Sequence, residues 1–95
     1  MKRLPRSICN IEDGKQLVRA SGSVGANYIE ANEALSKKDF AHRIRISRKE
    51  AKEARYWLRL IEPGAELEKE RDVLLQEAQE LMNILGAIIQ KTVNK

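Results

Sequence analysis

Hydrophobic residues recur every three or four positions along most of this 95-residue chain, which is the spacing of one face of an α-helix. The spacing predicts three long helices, near residues 11–34, 36–62 and 65–92. The second helix has the most regular apolar stripe, formed by Phe40, Ile44, Ser47, Ala51, Ala54, Leu58 and Ile61. Amphipathic helices joined by short turns can bury their stripes only against one another, so we predict an all-α fold, an antiparallel helical bundle.

The stripes of the other two helices are less regular. The first runs through Leu17, Ser21, Val24, Tyr28, Ala31 and Leu35. The third runs through Leu67, Leu74, Ala78, Leu81, Leu85 and Ile88, and it is broadened by Leu75, Met82 and Ile89. Glycine and serine dominate residues 21–26 of the first helix. Such poor helix formers persist in a helix mainly where another helix approaches closely.

Helix boundaries are indicated by capping and breaking residues. Residues 1–10 are predicted to be an irregular lead-in, with Asn10 as the cap of the first helix. Ser36 and Asp39 have the spacing of a capping box at the start of the second helix, and Pro63-Gly64 ends that helix. No linker divides the chain, so residues 1–95 are predicted to be a single domain.

The overall composition excludes several classes of protein. The chain has 18 basic and 14 acidic residues, a net charge of +4, which suits an acidic partner without requiring one. One Cys and one His cannot form an internal disulfide or a zinc site of several Cys and His ligands. No apolar run is long enough for a membrane span or a signal peptide. We therefore expect a cytoplasmic protein without a metal or other cofactor.

The positive charge is concentrated in the second helix, where residues 36–61 carry 9 Lys+Arg against 3 Asp+Glu. A row of cations follows the apolar stripe, and its candidate nucleic-acid-binding members are Arg45, Arg48, Lys49, Lys52, Arg55 and Arg59. Such a row can meet several phosphates, and Tyr56 and Trp57 in the same stretch could stack on unpaired bases. The alternative is a solvated face that keeps the bundle soluble, with Trp57 in a core or an interface.

Three polar residues of the first helix lie among its small and apolar positions. They are Arg19, Asn27 and Glu30. We predict that they form a mostly buried hydrogen-bonded network that fixes helix register, with Glu30 paired to a cation of this chain or of a neighbour. The alternative is a buried polar cluster that binds a ligand.

No constellation of residues indicates catalysis. His42 has no second His or Cys at helical spacing, and Cys9 has no partner. The hydroxyls of Ser21 and Ser23 lack a base at motif spacing. We therefore predict that the protein is not an enzyme.

The region around residues 14–62 resembles a family of small bacterial helical proteins. The matching positions are Gln16, Leu17, Arg19, Ala20, Ser23, Ala26, Asn27 and Glu30, then Ser36, Asp39, Phe40, Lys49, Glu50, Ala51, Glu53, Tyr56, Trp57 and Leu58. The family is that of the four-helix-bundle proteins encoded within intervening sequences of 23S ribosomal RNA genes. The last helix is similar by length and pattern only.

The resemblance implies a bundle that assembles into a homopentameric ring, with a biochemical role that is mostly unassigned. A related branch serves as the accessory protein of diversity-generating retroelements, where a basic pentamer engages a reverse transcriptase and nucleic acid. Members normally carry a further helix before a loop like Leu4-Pro5, which here comes almost at once. We expect that this helix is missing or encoded upstream of Met1, and that the remaining helices expose apolar surface.

These observations support one leading hypothesis and two alternatives. The leading hypothesis is a non-enzymatic homo-oligomer that binds nucleic acid, above all RNA, through the basic row. The first alternative is a purely structural homo-oligomer whose basic face only solvates the assembly. The second is a degenerate product of a mobile insertion with no cellular role. The affinity for RNA and its dependence on salt separate the leading hypothesis from the first alternative.

Overall fold

The computed structural model describes residues 8–61 and 63–93, and every regular element in those ranges is helical. Helix α1 comprises Ile8–Asn32, α2 comprises Lys37–Leu60 and α3 comprises Glu68–Val93, with a short 3₁₀ turn at Ala65–Leu67 before α3. The helices form an elongated body with principal extents of 47, 19 and 15 Å. The predicted all-α bundle is confirmed, with three helices in the described ranges rather than the four that the resemblance implies.

The two ends of α2 follow the predicted chemistry. The Ser36 hydroxyl oxygen accepts a hydrogen bond from the backbone N–H of Asp39 at 3.1 Å, which satisfies one of the free donors at the helix start. At the other end, Ile61 adopts an extended conformation, with φ −65° and ψ 132°, just before the Pro-Gly break. The breaker therefore sets the length of α2.

The start of α1 differs from the prediction. This helix already includes Ile8, so Asn10 lies inside it and is buried rather than capping it. Positions 8–10 of the predicted lead-in are helical, and residues 1–7 lie outside the described part of the chain. Hydrophobic spacing could not find this earlier start, because the residue that the helix buries there is polar.

Helix α2 lies between the other two helices and packs against both. Its predicted apolar stripe is confirmed, since every member is buried except the half-buried Phe40. Small side chains bring α1 close, because Ala20 of α1 and Ser47 of α2 are both fully buried. The Ser47 hydroxyl donates a hydrogen bond of 2.9 Å to the backbone carbonyl of Val24, which ties the two helices together and satisfies a buried polar group.

The buried apolar residues form two clusters along α2. One contains Leu17, Ala20, Ala54, Leu58 and Ile61, and the half-buried Trp57, Leu75 and Ala78 pack against it. The other contains Ala31, Ile44, Ala51, Met82 and Leu85, with Val24, Phe40, Ile88 and Ile89 packed against it. Counting the half-buried residues packed against them, both clusters include residues of all three helices, so apolar packing extends along most of α2.

The stripe predicted for α3 is partly wrong. Leu74 and Leu81 are 48% and 37% exposed, whereas Met82 and Leu85 are buried against α2. This helix is apolar over more than half of its circumference, and α2 covers only part of that surface. The first stripe is similarly mixed, because Tyr28 is exposed although it falls on the predicted apolar side of α1.

An apolar groove runs between α1 and α3. Both helices rest on α2, and within the described ranges their Cα atoms do not come within 8 Å of each other. The groove has a volume of about 260 Å³ and is lined by Leu17, Ser21, Val24, Ala51, Ala54, Leu58, Leu74, Glu77, Ala78 and Leu81. Part of the apolar interior is therefore open along one side, as expected for three helices of this kind.

Candidate nucleic-acid interface

The predicted cations lie on the side of α2 that faces away from the core. Arg45, Lys49, Lys52 and Arg59 are exposed along most of the helix length. At about 100° per residue they are turned away from the buried stripe, which fixes their direction. These four cations therefore share one exposed face of α2.

Two members of the row rest on α3 at the edge of this face. A guanidinium nitrogen of Arg55 donates a hydrogen bond to the side-chain oxygen of Gln79. Arg48 lies across Gly86, where an added Cβ would stand 3.4 Å from its Nε atom. A glycine at position 86 leaves room for this side chain, so α3 positions both arginines without neutralising their charge.

The outer face of α2 carries no compensating acid. Within residues 8–61 and 63–93, the ion pairs involve Lys15, Arg19 and Arg71, and none of the six candidate cations takes part in one. Unpaired cations on one face produce a positive potential that attracts polyanions. We name this surface, formed by Arg45, Arg48, Lys49, Lys52, Arg55 and Arg59, the basic face.

Arg19 of α1 neutralises the two glutamates in the middle of α2. Its Nη2 donates a hydrogen bond of 2.7 Å to Glu53, and its Nη1 donates one of 3.1 Å to Glu50. Gln16 accepts a third bond, of 3.2 Å, from Nε. The bond to Glu53 and the charge of Glu50 raise the pKa of Arg19 above its usual value. These carboxylates are held on the α1 side of α2, so they do not offset the basic face.

The other polar residues of α1 do not extend this cluster. The Asn27 amide donates to the Ser23 carbonyl at 2.9 Å and to the Ser23 hydroxyl at 3.1 Å, and it accepts a bond of 3.2 Å from Arg43. Glu30 is exposed and has no ion pair to another residue of the described ranges. The prediction of one buried network of Arg19, Asn27 and Glu30 is therefore wrong within a single chain.

The exposure of Glu30 follows from the geometry of α1. Glu30 directly precedes the buried Ala31, so the 100° step of the helix turns its side chain toward solvent. Arg19, by contrast, reaches acids that lie 31 and 34 positions later in the chain. Two partners that the prediction did not include, Glu50 and Glu53, are three apart on α2. That spacing places two acids side by side on a basic helix, and it is visible in the sequence alone as a pairing site for a cation of another helix.

The two aromatic residues of α2 have different environments. Trp57 is half-buried and packs against the cluster that contains Leu58. Tyr56 is 55% exposed, and its ring meets the Trp57 ring at 74° with centroids 5.0 Å apart. Of the two rings, Tyr56 is therefore the better placed to meet a ligand on the outer side of α2, and it contacts the Trp57 ring.

The remaining candidate residues form no second site in the described part of the chain. His42 and Ser21 are exposed, and the Cys9 side chain lies outside what the structure describes. Across residues 8–61 and 63–93, no three His, Cys, Asp or Glu side chains are grouped so that they could hold a metal ion. None of the described helices is both long enough and apolar enough to cross a bilayer.

Comparison with known proteins yields one matching family and one similar structure. The sequence pattern of the 23S rRNA-intervening sequence proteins matches residues 2–87. A solved structure of a protein with unknown function, from the S23 ribosomal protein family of Bacteroides thetaiotaomicron VPI-5482, is similar, with 32% identity and a TM-score of 0.69. The similarity covers 82% of this chain and 73% of that chain. No match is found among curated proteins.

Proposed function

Since the chain belongs to the family of 23S rRNA-intervening sequence proteins, we propose that it is a non-enzymatic cytoplasmic protein that binds RNA through the basic face and assembles with copies of itself. The observation that carries the RNA-binding part is that none of the six cations of the basic face forms an ion pair within residues 8–61 and 63–93, while Arg19 pairs with Glu50 and Glu53. A face with no acid among its cations keeps a positive potential toward solvent, which attracts a polyanion.

The dimensions of the basic face suit a polyanion. Arg45 and Arg59 are about 21 Å apart along the axis of α2 at 1.5 Å per residue, so the row spans several nucleotides. Each phosphate that meets a cation releases a condensed counterion, and this release provides affinity without sequence preference. We therefore expect binding that depends strongly on salt and weakly on sequence.

A titration of fluorescently labelled RNA at several salt concentrations tests the proposal. If Arg45, Lys49, Lys52 and Arg59 each meet one phosphate, the log–log slope of affinity against salt is about −3. The triple variant Arg45→Ala/Lys49→Ala/Lys52→Ala should weaken binding and make the slope shallower by about 2. The control variant Lys15→Ala/Lys69→Ala/Lys91→Ala loses the same charge from exposed positions elsewhere and should retain the slope.

Two results would contradict RNA binding through the basic face. One is the absence of binding even at low salt, which leaves the purely structural role. The other is an equal loss of affinity in the two triple variants, which would mean that net charge alone drives a non-specific attraction.

An exposed apolar surface on α1 supports the self-assembly part of the proposal. Ile11, Val18 and Ile29 are 41%, 59% and 62% exposed, and they lie on one side of the helix at spacings of seven and eleven residues. Gly22 and Gly25 lie between them, and a Cβ added at either glycine would meet nothing within 4 Å. An exposed apolar surface with room for close approach fits another helix of the same protein better than water.

Sedimentation equilibrium tests self-assembly, and the resemblance predicts a mass of five chains. Ile29→Lys should shift the protein toward the monomer because it places a charge in the proposed contact. Val93→Lys alters an equally apolar residue near the end of α3, 47% exposed, and serves as the control. A monomer at all concentrations, with or without Ile29→Lys, would contradict this part of the proposal.

A further inference from the structure

We infer that the basic face selects single-stranded over double-stranded nucleic acid, with one unpaired base stacked on the ring of Tyr56. This inference rests on the proposed RNA-binding function and narrows its ligand to one structural class. It depends on the placement of one aromatic ring among cations, which the helix geometry fixes.

The Tyr56 ring is both accessible and supported. It is 55% exposed, and it contacts Trp57 in a perpendicular arrangement with centroids 5.0 Å apart. Trp57 in turn packs against the buried cluster of Leu17 and Leu58. The contact with Trp57 already restricts the Tyr56 ring. The ring therefore loses little conformational freedom when a base stacks on it, and more of the stacking energy remains as affinity.

Cations flank the ring in both directions along α2. Lys52 precedes Tyr56 by four positions and Arg59 follows it by three, so both are its neighbours on the helix surface. Lys49 lies a further three positions before Lys52. These side chains are exposed and form no ion pair within residues 8–61 and 63–93. They can hold phosphates on both sides of a base that rests on Tyr56, which is the arrangement of single-strand binding sites.

A duplex cannot use the ring in this way. The faces of paired bases are covered by their neighbours in the stack, and the major groove of an RNA helix is too deep and narrow for side chains to read. A duplex could meet the cations but would gain nothing from Tyr56. The aromatic ring therefore adds affinity only for unpaired bases.

The chain offers a matched control in its second tyrosine. Tyr28 of α1 is 46% exposed, close to the exposure of Tyr56. Residues 24–32 around it include no Lys or Arg, so no cation lies within one helical turn of it on α1. Replacing Tyr28 removes the same side chain without touching the basic face.

The experiment compares a labelled 12-nucleotide oligouridylate, its DNA counterpart and a 12-base-pair RNA duplex by fluorescence anisotropy. We expect the intact chain to bind both single strands more tightly than the duplex. Tyr56→Ala should weaken single-strand binding about 5- to 100-fold and leave the salt slope unchanged, because stacking releases no counterion. Tyr28→Ala should change affinity less than twofold, and Tyr56→Phe should retain most of the affinity of the intact chain.

Tryptophan fluorescence gives an independent readout, because Trp57 is the only tryptophan in the chain and contacts Tyr56. Binding of the single strand should change its emission, and Tyr56→Ala should reduce that change. Circular dichroism shows whether each variant retains the helical fold.

Different results would overturn single-strand selection by Tyr56 and RNA binding itself. Salt-dependent binding that is equal for single strand and duplex, with Tyr56→Ala indistinguishable from Tyr28→Ala, overturns the inference and leaves RNA binding intact. An absence of any binding at low salt overturns both.

Discussion

The Arg19 guanidinium of α1 lies 2.7 Å from the Glu53 carboxylate of α2, and it reaches Glu50 at 3.1 Å with another nitrogen. One side chain thus joins two helices and forms ion pairs with two carboxylates. The planar guanidinium can bond to both acids at once because its donors point in fixed, divergent directions, which a lysine ammonium does not provide.

Replacement of Arg19 by Ala should lower the midpoint temperature of unfolding by a few degrees. The change leaves Glu50, whose side chain is only 11% exposed, without its cation, and a poorly solvated lone charge is unfavourable. Arg19→Lys should restore only part of the loss. Glu30→Ala removes an exposed glutamate from the same helix and is the control. Equal midpoints for Arg19→Ala and Glu30→Ala would contradict the role of the ion pairs.

The stability that comes from Arg19 should not vary near neutral pH. Its pKa is raised in the folded chain, so the group remains charged in both the folded and the unfolded state until the solution is strongly alkaline. The difference in midpoint between the parent and Arg19→Ala should therefore be the same at pH 7 and pH 9. A difference that shrinks over this interval would assign the effect to another titrating group.

Two isoleucines offer a direct test of where the core lies. Ile44 is fully buried, so Ile44→Ala should cost about 2–5 kcal/mol of unfolding free energy in a urea titration. Ile29 is 62% exposed, and Ile29→Ala should cost less than about 0.5 kcal/mol in dilute solution. If the cost at Ile29 grows with protein concentration, the residue lies in a contact between copies.

Replacing the glycines of α1 by alanine should raise the stability of the single chain but weaken its self-association. Gly22→Ala and Gly25→Ala each place a methyl group in open space and in a backbone conformation that alanine adopts freely. Each should raise the stability of the single chain by about 0.5–1 kcal/mol, because alanine is the better helix former. If another copy approaches this surface, the same substitutions should weaken self-association in sedimentation experiments. Lower thermal stability of the isolated chain would contradict the open surroundings of these glycines.

The groove should accept a larger side chain where the core does not. Ala78 is half-buried and lines the groove, so Ala78→Leu should fill part of the open space and raise stability by up to about 1 kcal/mol. Ala51 also borders the groove but is only 1% exposed, and Ala51→Leu should cost about 1–3 kcal/mol through overpacking. Chemical denaturation of both variants measures the contrast. A loss of stability in Ala78→Leu equal to that in Ala51→Leu would mean that the groove is closed in solution.

Sequence periodicity predicted α2 far better than the helices on either side of it. Most of its buried residues occupy a single stripe, from Ile44 to Ile61, and only one orientation buries that stripe. In α3, Leu74 and Leu81 are exposed although Leu85, within about 40° of both around the helix, is buried. Which part of this broad apolar surface packs on the core depends on the shape of α2, which the periodicity of α3 does not contain.

The candidate site was predictable where it depends on one helix and not where it depends on two. The positions of Lys49 and Lys52 on an outer face follow directly from the stripe of α2. The pairing of Arg19 with Glu50 and Glu53 does not, because several acids of the chain were available and helix register selects among them. For the same reason the exposure of Tyr56 and the partial burial of its neighbour Trp57 became clear only from the packing.

The central position of α2 determines how the fold opens. Because α1 and α3 each pack on α2, and within the described ranges their Cα atoms stay more than 8 Å apart, we expect either outer helix to detach with little loss at the opposite interface. Amide hydrogens of α1 and α3 then exchange with solvent through separate partial openings. Those at the centre of α2 exchange only when both interfaces are lost. The slowest-exchanging amides of the chain, and its most cooperative unit, therefore lie beneath the basic face.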